Sequence, residues 1–268
     1  MRKIFCVLTG FALIFGLFGC VVPQPPQAST AATTESTTQA TTEAAPSTAP
    51  TTVSTAPLHT ELYIVGVSTK VMLKHFNEVV LQVEYSDGTG NPSLVQKWTE
   101  PIYYCTLGNP TDEDIQVLEK LFSQLNQIEG FPGIYPAENE STSNLTLSFL
   151  APAEFRDQFS GVVNGEDAYG ATQFWYYTDS NQIYNARIGY RTDIPQEERN
   201  SILLEEIVNT LGLGDSENRE DSIVYQYSNT NLQLSQVDWV ILKLLYSPAI
   251  ECGMDATACE AIIERLYY

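Results

Sequence analysis

Histidine is nearly missing from this chain, whose 268 residues hold only His59 and His75. Catalytic triads and imidazole-rich zinc sites need a histidine placed against a second functional group, and no Ser/His/Asp or Cys/His arrangement can be assembled from these two. Basic residues are scarce as well, 13 against 33 acidic ones, for a formal charge of −20. A surface of that sign repels phosphate backbones and anionic headgroups, which argues against a nucleic-acid partner; it also keeps an exposed protein soluble. The five cysteines include no Cys-x-x-Cys pair, so neither a dithiol redox site nor a zinc ribbon is supported. A long membrane span is also lacking. The N-terminal apolar run from Ile4 to Gly19 contains Thr9, Gly10 and Gly16 and falls short of the roughly 20 residues that cross a bilayer.

What is present at the N-terminus fits export instead. Arg2 and Lys3 precede that apolar run, which carries no acidic residue, in the layout of a secretory signal. The run ends in Leu17-Phe18-Gly19-Cys20, which resembles the bacterial lipobox, where a small residue precedes a cysteine that is diacylated and becomes the new N-terminus. Phe18 is bulkier than that pattern places there. The resemblance implies a signal peptide over residues 1–19, a lipid on Cys20, and a protein held on the extracytoplasmic face of the cell membrane. Two acyl chains, at about 0.8 kcal/mol per buried methylene, suffice for stable anchoring. From Val21 to Pro57, 29 of 37 residues are Ser, Thr, Pro or Ala, too few apolar side chains to build a core. Residues 20–57 are therefore expected to be a stalk, and residues 58–268 a domain long enough to bury its own core.

Within the domain, Glu61 to Ser68 alternates as a strand does, and Met72, Phe76, Val79, Val80 and Val83 recur at helical spacing. Trp98 to Cys105 reads as a strand. Thr111 with Asp114 makes a capping box for a helix whose apolar face runs from Ile115 to Ile128 and ends at Gly130. Leu145 to Leu150 reads as a strand, and Thr172 to Arg191 as two strands joined at Asp179-Ser180-Asn181. Helices are expected after Pro195, after Ser235 up to Pro248, and after Asp255. Strands first and helices later describe an α+β domain with a mixed sheet.

The stretch Ile202 to Asp215, ILLEEIVNTLGLGD, is where spacing points to chemistry. It can be laid on the zinc-metallopeptidase pattern H-E-x-x-H-x-x-G-x-x-H/D, with Glu205 at the first His, Glu206 at the catalytic Glu and Asn209 at the second His. Gly212 then matches the turn glycine and Asp215 the third ligand. Residues i and i+4 share a helical face, so two side chains can grip one ion while the residue between them orients water. The chain resembles an uncharacterised bacterial family of exported proteins with a zincin-like, metallopeptidase-related core. Lys97-Trp98-Thr99-Glu100-Pro101-Ile102, Arg199 to Glu206, Asp238-Trp239 and Cys252-Gly253-Met254 carry the resemblance, which implies a Met-turn at Met254.

Both defining histidines are replaced, and three readings of the helix stay open. Glu205 and Glu206 are ordinary helix formers, one solvated and one hydrogen-bonded to a neighbouring strand. Alternatively Glu205, Asn209 and Asp215 hold a hard cation through oxygen, calcium or magnesium rather than zinc. In the third reading Glu206 is the base of a divergent metal-dependent hydrolase acting on envelope peptide or glycan. The first makes the domain a non-catalytic binding or structural module for an envelope or extracellular protein, peptide or glycan. The acidic run Asp215 to Asp221 lacks EF-hand spacing and reads as a solvated loop, and Phe174 to Tyr177 as sheet packing. Cys252 and Cys259 flank a short turn and are the expected disulfide, closing a loop of about eight residues for about 2 to 3 kcal/mol. Cys105 would then be a buried thiol, although spacing alone leaves its pairing with either one open.

Overall fold

The computed structural model describes residues 7–8, 62–81, 93–162 and 168–267. The proposed lipid site Cys20, the stalk and His59 lie outside those residues. One sheet organises the domain. Its strands are β1 (Val7–Leu8), β2 (Lys97–Trp98), β3 (Ile102–Gly108), β4 (Ile134–Pro136), β5 (Leu145–Leu150), β6 (Gly170–Tyr176) and β7 (Gln182–Arg191). The order across the sheet is β1-β6-β7-β5-β3-β4, with β2 pairing on β7. Only β6 and β7 run antiparallel; every other pairing is parallel.

Parallel neighbours need crossover connections, and helices supply them. Helix α1 (Thr69–Phe76) continues into a π turn at Asn77–Leu81; α2 (Asp112–Leu125) joins β3 to β4, and α3 (Pro152–Phe159) joins β5 to β6. Helices α4 (Gln196–Thr210), α5 (Gln236–Tyr246) and α6 (Ala256–Leu266) follow the last strand. Because strand residues alternate faces, β6 shows which helix lies on which side. Gly170 and Thr172 meet Ile202 and Glu206 of α4. Ala171 instead joins Leu150, Phe155, Phe159, Val162 and Ala168 in a small second core under α3. The large core lies on the α4 side, where Trp98, Ile188, Tyr190, Ile207, Leu245 and Tyr246 are buried.

Local signals placed the helix starts well. Thr111 and Ser235 both form the reciprocal capping box with Asp114 and Asp238, and Asp255 caps α6 through Ala258. The strand expected at Glu61 to Ser68 is corrected: the described part, from Leu62, is turn. Val67 donates to the Ile64 carbonyl, Gly66 is left-handed at φ +83°, and the Ile64 amide reaches the Tyr267 hydroxyl instead of a strand. The strand expected at Trp98 to Cys105 is two strands, because Pro101 has no N–H to continue the ladder. The grouping of strands before helices is corrected as well, since α2 and α3 interleave with the strands and make the sheet predominantly parallel. Strand β4 and helix α3 were not anticipated.

Candidate functional site

Helix α4 begins after Pro195, with Glu197 and Glu198 in a first turn where acidic groups favour the helix dipole. From Ser201 to Thr210 every residue is buried, so the helix beyond its first turn presents no solvent face. Such all-round burial usually requires an apolar helix; this one carries Glu205, Glu206 and Asn209, each 0% exposed. Strands β6 and β7 cover one side and α2 another. At its C-terminal end the Trp98 indole donates to the Thr210 carbonyl at 2.8 Å and the Tyr246 hydroxyl to the Leu211 carbonyl at 3.0 Å. Gly212 turns the chain out at φ +101°, and a Cβ there would collide with the Gln96 carbonyl, so only glycine fits.

Glu206 faces the sheet. The Thr172 hydroxyl donates to its carboxylate at 2.6 Å and also lies 3.0 Å from its carbonyl oxygen. This is the bond to a neighbouring strand expected for one of the two glutamates. The companion expectation, that the other is solvated, is corrected: Glu205 is as buried as Glu206, because α2 and the sheet enclose α4 on both sides. Asn209, one turn beyond Glu205, has neither its amide nitrogen nor its oxygen hydrogen-bonded although both are buried. Burial pushes the Tyr190 phenol well above its ordinary pKa, reinforced by the charges of Glu206 and Asp114; its hydroxyl lies 3.4 Å from the Leu203 carbonyl.

Asp215 follows on a loop and is half-buried. Among the described residues no three His, Cys, Asp or Glu side chains converge as a metal-holding group. The acidic run after Asp215 is the solvated loop expected, with Glu217, Glu220 and Asp221 exposed; within it Ser216 is buried, and just beyond it the buried Ser222 donates to Asp238 at 2.5 Å. Gly253-Met254 forms a left-handed turn that pairs with Val95, the Gly253 amide donating to Val95 at 2.8 Å and the Val95 amide to Met254 at 2.9 Å. The segment from Val95 to Trp98 thus touches both the Met254 turn and the end of α4. The expected disulfide is corrected, for Cys252 and Cys259 are free thiols. The Cys252 sulfur faces the Lys97 carbonyl at 3.6 Å, while Cys259 is buried in the core side of α6. Burial raises both thiols, that of Cys259 to about 11, which suppresses the thiolate that disulfide exchange requires. Cys105 is half-buried rather than buried, 3.2 Å from the Ser143 hydroxyl.

Several supporting residues had no local signal in the sequence. Arg199 is buried against Asp114 at 2.8 Å, joining the start of α4 to the cap of α2 across 85 positions. Lys97 is buried with its ammonium donating to the Leu245 and Ile250 carbonyls, and burial lowers its pKa. No match was found among curated proteins. A family model described as a protein of unknown function (DUF2927) matches residues 69–265, and the chain belongs to that family.

Proposed function

We propose that the chain is a lipid-anchored protein of the extracytoplasmic membrane face, whose domain is a degenerate zincin-like module that binds or scaffolds and does not catalyse. The observation that carries the reading is the complete burial of Glu205, Glu206 and Asn209 on a helix enclosed on both sides. A hydrolytic base must meet water and substrate; Glu206 meets Thr172 instead. The donors do not fit zinc, since a carboxylate and an amide stand where imidazoles would be needed. Envelope or extracellular protein, peptide or glycan are the partners this reading implies, and the negative charge disfavours nucleic acid. Purified domain should contain no stoichiometric zinc and cleave no peptide library; one zinc per chain, or cleavage lost on Glu206→Gln, would overturn the proposal. Replacing Cys20 with Ser should abolish fatty-acid labelling and release the protein from membranes.

One observation favours a second reading. Both polar atoms of Asn209 are buried without a partner one helical turn from Glu205, and a buried amide left so costs about 1 to 3 kcal/mol. A hard cation held by oxygens of Glu205, Asn209 and Asp215 would meet that need, with calcium or magnesium matching the donors. Millimolar calcium or magnesium should then raise the melting temperature of the wild type and not of Asn209→Leu.

A further inference from the structure

The loop that carries Asp215 is held on both flanks by the π turn at the end of α1. On one flank the Gly214 amide donates to the Val79 carbonyl at 2.6 Å. On the other, a single oxygen of the Glu78 carboxylate accepts from the Glu217 amide at 2.7 Å, the Asn218 amide at 3.2 Å, the Asn218 side-chain amide at 2.8 Å and the Ser216 hydroxyl at 3.2 Å. The second Glu78 oxygen faces Nδ1 of the buried His75 at 3.5 Å. The π turn is a wide turn that interrupts the regular ladder, and such turns are frequent at functional sites. Here the Glu78 side chain reaches across about 140 positions of sequence to the residues after Asp215, while the Val79 carbonyl takes the residue before it.

We propose that Glu78 is the positioning residue of the Asp215 loop, fixing where that carboxylate stands relative to α4. The link to α4 rests on reading that helix as the candidate site; the anchoring itself does not. An ionised carboxylate is the group for this task, because one oxygen can take several N–H donors at once and charge-assisted bonds are about twice as strong as neutral ones. Burial would by itself raise the Glu78 pKa; the bonds from Asn218, Glu217, His75 and Ser216 outweigh it and hold the carboxyl below its ordinary value.

The test is amide hydrogen exchange on the intact domain. In Glu78→Ala, exchange at Glu217 and Asn218 should rise by about tenfold or more. Gly214, tied to a backbone carbonyl, should keep its protection, and Glu78→Gln, which retains an acceptor oxygen without the charge, should fall between. Unchanged exchange at Glu217 and Asn218, or an equal rise through the amides of α4, would overturn the proposal. If the alanine variant does not fold, Glu78→Gln alone decides it, because it should still raise exchange at those two amides. A parallel calcium titration separates the two ideas. A wild type indifferent to calcium removes the cation reading and leaves the exchange result standing, whereas a calcium-binding wild type should lose affinity about tenfold in Glu78→Ala.

Discussion

Arg199 and Asp114 show how much of this domain hangs on single side chains. One Asp114 oxygen accepts from Arg199 and Gln196, the other from the Thr111 amide, while Arg199 also reaches the Thr192 and Ile194 carbonyls. The bonds from Arg199 and Gln196 to Asp114 tie α4 to the cap of α2, and those to Thr192 and Ile194 tie it to the segment after β7. Removing one partner of such a pair leaves an uncompensated charge, so Arg199→Met should destabilise the domain by about 3 to 5 kcal/mol in urea denaturation. A loss below about 1 kcal/mol would mean that the pair contributes no more than a surface bridge. Acid should act in two ranges, through His75 in the upper and through depressed carboxylates, Asp114 and Glu78 among them, in the lower. Burial lowers the His75 pKa below 6.5 against the opposing pull of Glu78, so its stabilising contribution is full above pH 6.5 and is lost as pH falls through the lower folded value. The Asp238 and Glu78 carboxylates raise that value and the Arg219 charge lowers it. Burial would raise Asp114, yet the bonds from Arg199, Thr111 and Gln196 dominate and depress it below 3.8. Its contribution is present above pH 3.8 and lost as pH falls through its folded pKa. Denaturant midpoints measured against pH should therefore decline in two steps, and His75→Phe should flatten the upper one while leaving the lower.

At the scale of elements, α4 and β6 fit together through the absence of a side chain. A Cβ on Gly170 would stand 2.5 Å from Ile202 and 2.7 Å from the Glu206 carboxylate. Gly170→Ala should therefore push α4 off the strand, destabilising by about 1 to 3 kcal/mol in thermal or chemical unfolding. An unchanged midpoint would show that the seam is looser than described. The same pair of elements marks what sequence can and cannot tell. The caps at Thr111, Ser235 and Asp255 were legible because the signal lies within four residues. The strand misread at Glu61 had the right alternation, but its amide at Ile64 bonds to Tyr267, 203 positions away. Strand β4 escaped notice because three residues, Ile134–Pro136, give no period to read. For the site, spacing identified Glu205, Glu206 and Asn209 as a set. Their burial was not legible, because it depends on α2 and β6 closing over a helix whose polar residues look exposed on paper.

At the scale of the whole molecule, the order of strands matters more than their number. Strand β7 comes last in the sequence yet lies in the middle of the sheet, between β6 and β5. Its pairing with β5 runs from Leu145 with Ala186 to Leu150 with Arg191, and its pairing with β6 from Tyr176 with Ile183 to Gly170 with Tyr190. Without residues 182–191 the described sheet falls into two pieces, β5-β3-β4 and β1-β6, with β2 unpaired from either. A chain ending before Gln182 should remain sensitive to protease throughout, whereas one that includes β7 and α4 should acquire a resistant core; resistance in the shorter chain would contradict this order. Strand β7 is the keystone of the described sheet, since it alone joins β6 and β2 to β5. The sheet order thus works as a timer for closure of the sheet alone, which waits for residues 182–191 of the 268.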